Sequence, residues 1–218
     1  MPISHAQHTV IALAFSSALF ACASDAGPTS SPAGPSSPPP TSSQTQPAVS
    51  PTGPAGGADP ENCDGEIAAA TVETVIVPAG ANCTLVGTQV EGNVLVRRDA
   101  TLVADGIRVD GNIQAEGAAS VEVVASELIG DFQVEQGGSS AVLDTIIDGD
   151  LQWQAQTGPL EADNNTIGGN LQAENNTGGL AITANAIGGN LQCQANDPPP
   201  IGGDNRVEGS REDQCADL

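Results

Sequence analysis

The stretch from Ile167 to Cys193, IGGNLQAENNTGGLAITANAIGGNLQC, delivers nearly the same message twice, 20 residues apart. Working outward, the glycine of each EGN, DGN, IGD, DGD or GGN unit recurs at Gly92, Gly111, Gly130, Gly149, Gly169, Gly189 and Gly209, with steps of 19, 19, 19, 20, 20 and 20. A period near twenty held over many copies is the signature of a solenoid. Two residues before each glycine runs an aliphatic column, Val90, Val109, Leu128, Ile147, Ile167, Ile187 and Val207. Two residues after it stand Val94, Ile113, Phe132, Leu151, Leu171 and Leu191, and two further on Val96, Ala115, Val134, Trp153, Ala173 and Cys193.

Apolar residues alternating with polar ones indicate strands that bury one face. Each period has room for about three short strands, joined at turns where glycine permits positive φ. One coil cannot bury its own apolar face, so neighbouring coils must stack and share an interior. Helix is disfavoured, because the alternation has period two and glycine recurs in every unit. A left-handed hexapeptide helix would keep turns of about eighteen residues with a six-residue subperiod, and a pentapeptide solenoid would show a five-residue one; neither is present. The expected fold is all-β: a single-stranded parallel β-helix, right-handed and three-sided, with 19–20 residues per coil.

Four of the five cysteines lie within or beside the repeats. Cys63 and Cys83 are 20 residues apart and Cys193 and Cys215 are 22 apart, each about one coil. Stacked coils lie about 4.8 Å apart, within reach of a disulfide. Of the three possible pairings, Cys63–Cys83 with Cys193–Cys215 is therefore expected, stapling both ends and matching an oxidising compartment. A metal site is not expected, since the only histidines are His5 and His8 and no close cysteine pairs occur. Asp197–Pro200, DPPP, is expected to blunt the C-terminal edge, because proline cannot donate to a ladder.

The chain carries 27 Asp and Glu against five Arg and no Lys, a formal charge of −22. Such a field disfavours phosphate backbones, so nucleic acid is not an expected partner. At the N-terminus, the apolar run Val10–Phe20 is too short to span a bilayer and has the proportions of an export signal. It ends in LFAC, Leu19–Cys22, which resembles the bacterial lipobox. That resemblance implies cleavage before Cys22, lipid attachment at Cys22 and a membrane as partner; cleavage after Ala23 would instead release the protein. The expected organisation is a signal over 1–21, a Ser/Pro/Thr/Gly-rich tether over 22–60 and a β-helix domain over 61–218. At about 3.1 Å per residue in polyproline geometry, the tether could hold the domain on the order of 100 Å from its anchor.

The segments VPAGANCTLVGTQVEGNV (Val77–Val94), GGNLQC (Gly188–Cys193) and EDQC (Glu212–Cys215) resemble an uncharacterised family of secreted bacterial β-helix domains. The resemblance covers nearly the whole folded part and implies no catalytic or binding residue. The glycine-punctuated repeats also loosely resemble the cytoskeletal bactofilins, although stapled ends argue against the end-to-end polymerisation of that family.

On the outer faces one position repeats Gln114, Gln133, Gln152, Gln172 and Gln192. Stacked amides form a hydrogen-bonded ladder, and the same flat array could bind sugar hydroxyls. Beside it run Glu116, Glu135, Gln154, Glu174 and Gln194. Carboxylates one coil apart repel, and calcium is the cation that would relieve them, but a flat face supplies too few oxygens, so no cofactor is expected. Glu116 and Glu135 also have the spacing of a retaining glycosidase pair, yet no long insertion interrupts the repeats to wall a cleft. No catalytic residue is assigned. Trp153 is expected inside, and Asn165, Asn185 and Asn205 are expected to form an internal turn ladder.

The expected function is that of a non-catalytic structural or interaction module of the bacterial envelope, displayed beyond the membrane, with an envelope glycan or protein as partner. A carbohydrate-binding module using the Gln and Glu columns is the alternative; a glycan-active enzyme is the third reading.

Overall fold

The computed structural model describes residues 61–218, and these form one parallel β-solenoid built from three sheets. The first sheet has nine strands, from Glu61–Asn62 to Arg211–Asp213, and includes Ile113–Glu116, Phe132–Glu135, Leu151–Gln154, Leu171–Glu174 and Leu191–Gln194. The second has eight, from Gly65–Ala68 to Ile201–Gly203, and the third eight two-residue strands, from Thr71–Val72 to Arg206–Val207. Each strand pairs in parallel with the strand one coil away, in the register that the repeat predicts: Ile113 with Phe132, Phe132 with Leu151, Leu151 with Leu171. The segments expected to be an export signal and a tether, with Cys22 and Ala23, lie outside the described residues.

The three aliphatic columns face inward and merge into one core with the alternate residues of the second sheet, such as Leu102, Val121, Val142 and Ile182. Only the last member of the first column, Val207, is partly exposed, because no coil covers it from beyond. Trp153 and Phe132 are the two largest fully buried side chains. Trp153 stacks between Val134 and Ala173, and the small alanine leaves room for the indole.

The corners divide into two kinds, and only one follows the expected use of glycine. After the first sheet the chain turns through positive φ at Gly80, Asp99, Gly117, Gln136, Ala155, Asn175 and Ala195. After the second it does so at Gly87, Gly106, Ala125, Asp144, Asn164, Ala184 and Asp204. Most of these are not glycine, and the glycines that index the repeat do not take positive φ at all. They sit at the third corner, where coils approach too closely for a side chain. Gly111 N–H donates to Gly92 O at 3.0 Å, and a Cβ on Gly111 would lie 2.5 Å from that oxygen and 2.6 Å from Asn93 Oδ1. The periodic glycine is therefore a requirement of close approach rather than of backbone conformation.

The change from 19 to 20 residues per coil has one location, the corner between the first and second sheets. Val134 aligns with Trp153, and Ser140 with Leu160, so six residues separate 134 from 140 but seven separate 153 from 160. The added residue brings polar side chains inward at that corner.

Both disulfides form as the spacing predicts, Cys63–Cys83 with Cα atoms 5.4 Å apart and Cys193–Cys215 with Cα atoms 5.3 Å apart. The C-terminal end is closed further by Gln214, whose N–H donates to Cys193 O, and by Leu218, which packs on the core. The DPPP segment lies in the last coil and leads into the terminal strand of the second sheet. It occupies the last corner between the first and second sheets, and the edge strands Ile201–Gly203, Arg206–Val207 and Arg211–Asp213 follow it.

Candidate functional site

Strand alternation turns the Gln column outward on the first sheet, in direct register: Gln114 with Gln133, Gln133 with Gln152, Gln152 with Gln172, Gln172 with Gln192. Gln133 Nε2 donates to Gln152 Oε1 at 2.9 Å, Gln172 Nε2 to Gln192 Oε1 at 3.1 Å, and Gln192 Nε2 to Glu212 Oε2 at 2.8 Å. The contact from Gln114 Nε2 to Gln133 Oε1 is longer, 3.4 Å, and exposed. The ladder breaks once: Gln152 turns its amide to Asp150 Oδ2 at 3.4 Å instead of to Gln172. Most of these amides are thus already engaged with one another.

The adjacent column stacks Glu116 on Glu135, Glu135 on Gln154, Gln154 on Glu174 and Glu174 on Gln194. Glu116 and Glu135 are exposed and Glu174 half-buried. Arg97, Gln114, Glu116, Gln133 and Glu135 line a depression of about 210 Å³ on this face, and Glu135, Gln152, Gln172 and Glu174 contribute to a smaller one of about 80 Å³. No three His, Cys, Asp or Glu converge in metal-binding geometry among the described residues.

Inside the corners three polar ladders run along the solenoid. The expected one is present: Asn165 Nδ2 donates to Asn185 Oδ1 at 2.9 Å, and Asn185 Nδ2 to Asn205 Oδ1 at 3.0 Å. Thr145 and Ser126 continue it toward the N-terminus, Thr145 N–H donating to Asn165 Oδ1 and Ser126 N–H to Thr145 Oγ1. A second ladder, Gln156, Asn176, Asn196 and Gln214, fills the corner that gained the extra residue. A third lies at the index corner, where Asn93, Asn112, Asp131, Asp150, Asn170 and Asn190 each accept from the backbone N–H one coil on. Sequence reading passed over the second and third, though the Asn or Asp that follows each index glycine from Gly92 to Gly189 was a signal for the third. Gln156, Asn176 and Asn196 are buried and the third ladder is half-buried; both are structural, since a turn N–H without a partner would be unfavourable inside the stack.

The third sheet shows two ion-pair groups. Arg108 Nε meets Asp110 Oδ1 at 2.9 Å and its guanidinium also bonds Glu127, while Arg206 meets Glu208 at 2.9 Å. The Glu127 hydrogen bond pushes the Arg108 guanidinium above its ordinary pKa, with desolvation opposing it.

A further concavity lies on the second sheet, a face that holds none of the residues singled out from the sequence. It encloses about 450 Å³ over strands from Ser120–Val124 to Ile201–Gly203, with Pro159 and Gly179 on one side. One inserted residue per coil, rather than a long loop, builds that side. The chain matches no family model, no curated protein and no solved structure, so its kinship stands at the level of architecture: an all-β, three-sided parallel β-solenoid with disulfide-linked ends.

Proposed function

We propose that this protein is a non-catalytic structural or interaction module held outside a bacterial membrane, anchored by lipid at Cys22 and spaced from it by the 22–60 tether. The observation that carries the non-catalytic part is the state of the Gln and Glu face. Its amides are mostly bonded to one another, and Glu116 and Glu135 stand exposed in an open depression. Reactions at carboxylate pairs need walls that exclude water and tune proton affinity, and this face has none. Two stapled ends and a formal charge of −22 suit a durable, soluble display domain in an oxidising space.

The address is tested by expressing the full chain and its Cys22→Ser variant with a radiolabelled fatty acid, then fractionating membranes. Label that requires Cys22 supports the anchor. Unlabelled protein cleaved after Ala23 and recovered from the medium would show a secreted form instead.

A carbohydrate-binding reading of the same face is favoured by one observation, the loose amide of Gln114 beside Arg97 and Glu116 in the 210 Å³ depression. Saturable binding on a glycan array that is lost in Gln133→Ala, Gln152→Ala and Gln172→Ala without loss of stability would establish it. Reducing-sugar release abolished by Glu116→Gln and Glu135→Gln would be needed for an enzyme.

A further inference from the structure

The concavity on the second sheet combines two carboxylates, small floor residues and an exposed aliphatic side chain. Its floor follows one outward column in direct register: Glu122, Ala141, Glu161, Ala181 and Ile201. Glu122 and Glu161 are exposed with the small Ala141 between them, Ala181 separates Glu161 from Ile201, and Ile201, at 69% exposure, is the most exposed large hydrophobic side chain described. No arginine lines the groove to neutralise the two carboxylates. The groove runs along the solenoid axis, across the strands, so an occupant lies over side chains rather than adding to a sheet edge.

We propose that this groove binds an extended basic segment of a partner protein, with two cationic side chains on Glu122 and Glu161 and an aliphatic one against Ile201. The geometry fixes the spacing. Two coils rise about 9.6 Å, and a segment in polyproline II geometry rises about 9.3 Å per three-residue turn and returns every third side chain to the same face, so basic residues meet Glu122 and Glu161 when three positions apart. Ile201 lies two coils beyond Glu161, which places the aliphatic residue three positions further. The recognised pattern is basic-x-x-basic-x-x-aliphatic, in either chain direction. The small floor residues admit the backbone, and charge complementarity with an acidic domain speeds encounter. The chain's own tether cannot be the occupant, because there is no lysine and all five arginines lie at position 97 or later. This inference rests on the interaction-module reading but not on the membrane address.

The test uses the full chain and the acetylated, amidated heptapeptide Lys-Ala-Ser-Lys-Ala-Ser-Leu, with binding read by calorimetry and by amide shifts at about 0.15 M salt. Binding is expected to shift resonances of Ala141 and Ala181, and to weaken about three- to fivefold for Glu122→Gln or Glu161→Gln. Ile201→Ser should weaken it without changing its salt dependence. A control variant, Glu116→Gln with Glu135→Gln, removes equal charge from the first sheet and should leave affinity within about twofold; circular dichroism confirms folding of all variants. Equal weakening by the control, equal binding of a peptide with adjacent lysines, or no binding of the heptapeptide would each overturn the proposal. A fatty-acid label on Cys22 with no peptide binding would remove the groove while leaving the display reading intact.

Discussion

Asn185 Oδ1 accepts two hydrogen bonds from Asn165, one from the backbone N–H at 3.0 Å and one from Nδ2 at 2.9 Å, and both residues are buried. One side chain thereby satisfies the turn of the coil before it. Its own Nδ2 group donates to Ala162 O and Thr183 O, each at 2.9 Å. Asn185→Ala would strand a buried N–H together with several acceptors. We expect a loss of about 2–4 kcal/mol, read as a lower urea midpoint, whereas the exposed Asn164→Ala should change stability by under about 1 kcal/mol.

Glycines at two corners should respond to the same substitution for different reasons. Gly111→Ala places a Cβ 2.5 Å from Gly92 O, where backbone must move, and should cost more than about 3 kcal/mol or prevent folding. Gly106→Ala meets nothing within 4 Å and bears only the left-handed strain of φ 61°, about 1–2 kcal/mol. The converse change, Ala155→Gly at φ 56°, should be neutral or stabilising within about 1 kcal/mol. Thermal denaturation of the three variants distinguishes close approach from strain.

Each disulfide should protect its own end rather than the whole solenoid, because coils contact only their neighbours. Replacing Cys193 and Cys215 by Ser removes a staple of about 3 kcal/mol by the chain-entropy estimate. Amide hydrogen exchange should then accelerate over 201–218 while the strands around 120–154 keep their protection. Uniform loss of protection throughout would contradict independent ends.

The single tryptophan provides a probe of the interior. Trp153 is 1% exposed, so its emission should be blue-shifted and resist iodide quenching until unfolding. Trp153→Ala should cost about 3–5 kcal/mol. Ser140 is also buried and its hydroxyl has no hydrogen-bond partner among the described residues, so Ser140→Ala should raise the unfolding free energy by up to about 1 kcal/mol, read as a higher urea midpoint.

Strand alternation, coil length, the Gln and Glu columns and both disulfide pairs were all legible in the order of residues. They follow from local chemistry: alternation selects which side chains leave water, and a fixed period obliges equivalent residues to stack. The meaning of the index glycines required the third dimension, because the 3.0 Å hydrogen bond from Gly111 N–H to Gly92 O, which leaves no room for a Cβ, has no trace in either residue alone. The same holds for the break at Gln152, where the amide chooses between Gln172 above and Asp150 beside it.

The second-sheet groove was the least legible feature. Glu122, Ala141, Glu161, Ala181 and Ile201 differ in type, so no repeating residue marks their column. By itself the sequence determined a stacked, stapled, acidic β-solenoid, because periodicity and cysteine spacing are properties of the chain. Tertiary structure decided which outward columns remain engaged in ladders and which lie open in a concavity, because both depend on how far each corner projects and what stands one coil away.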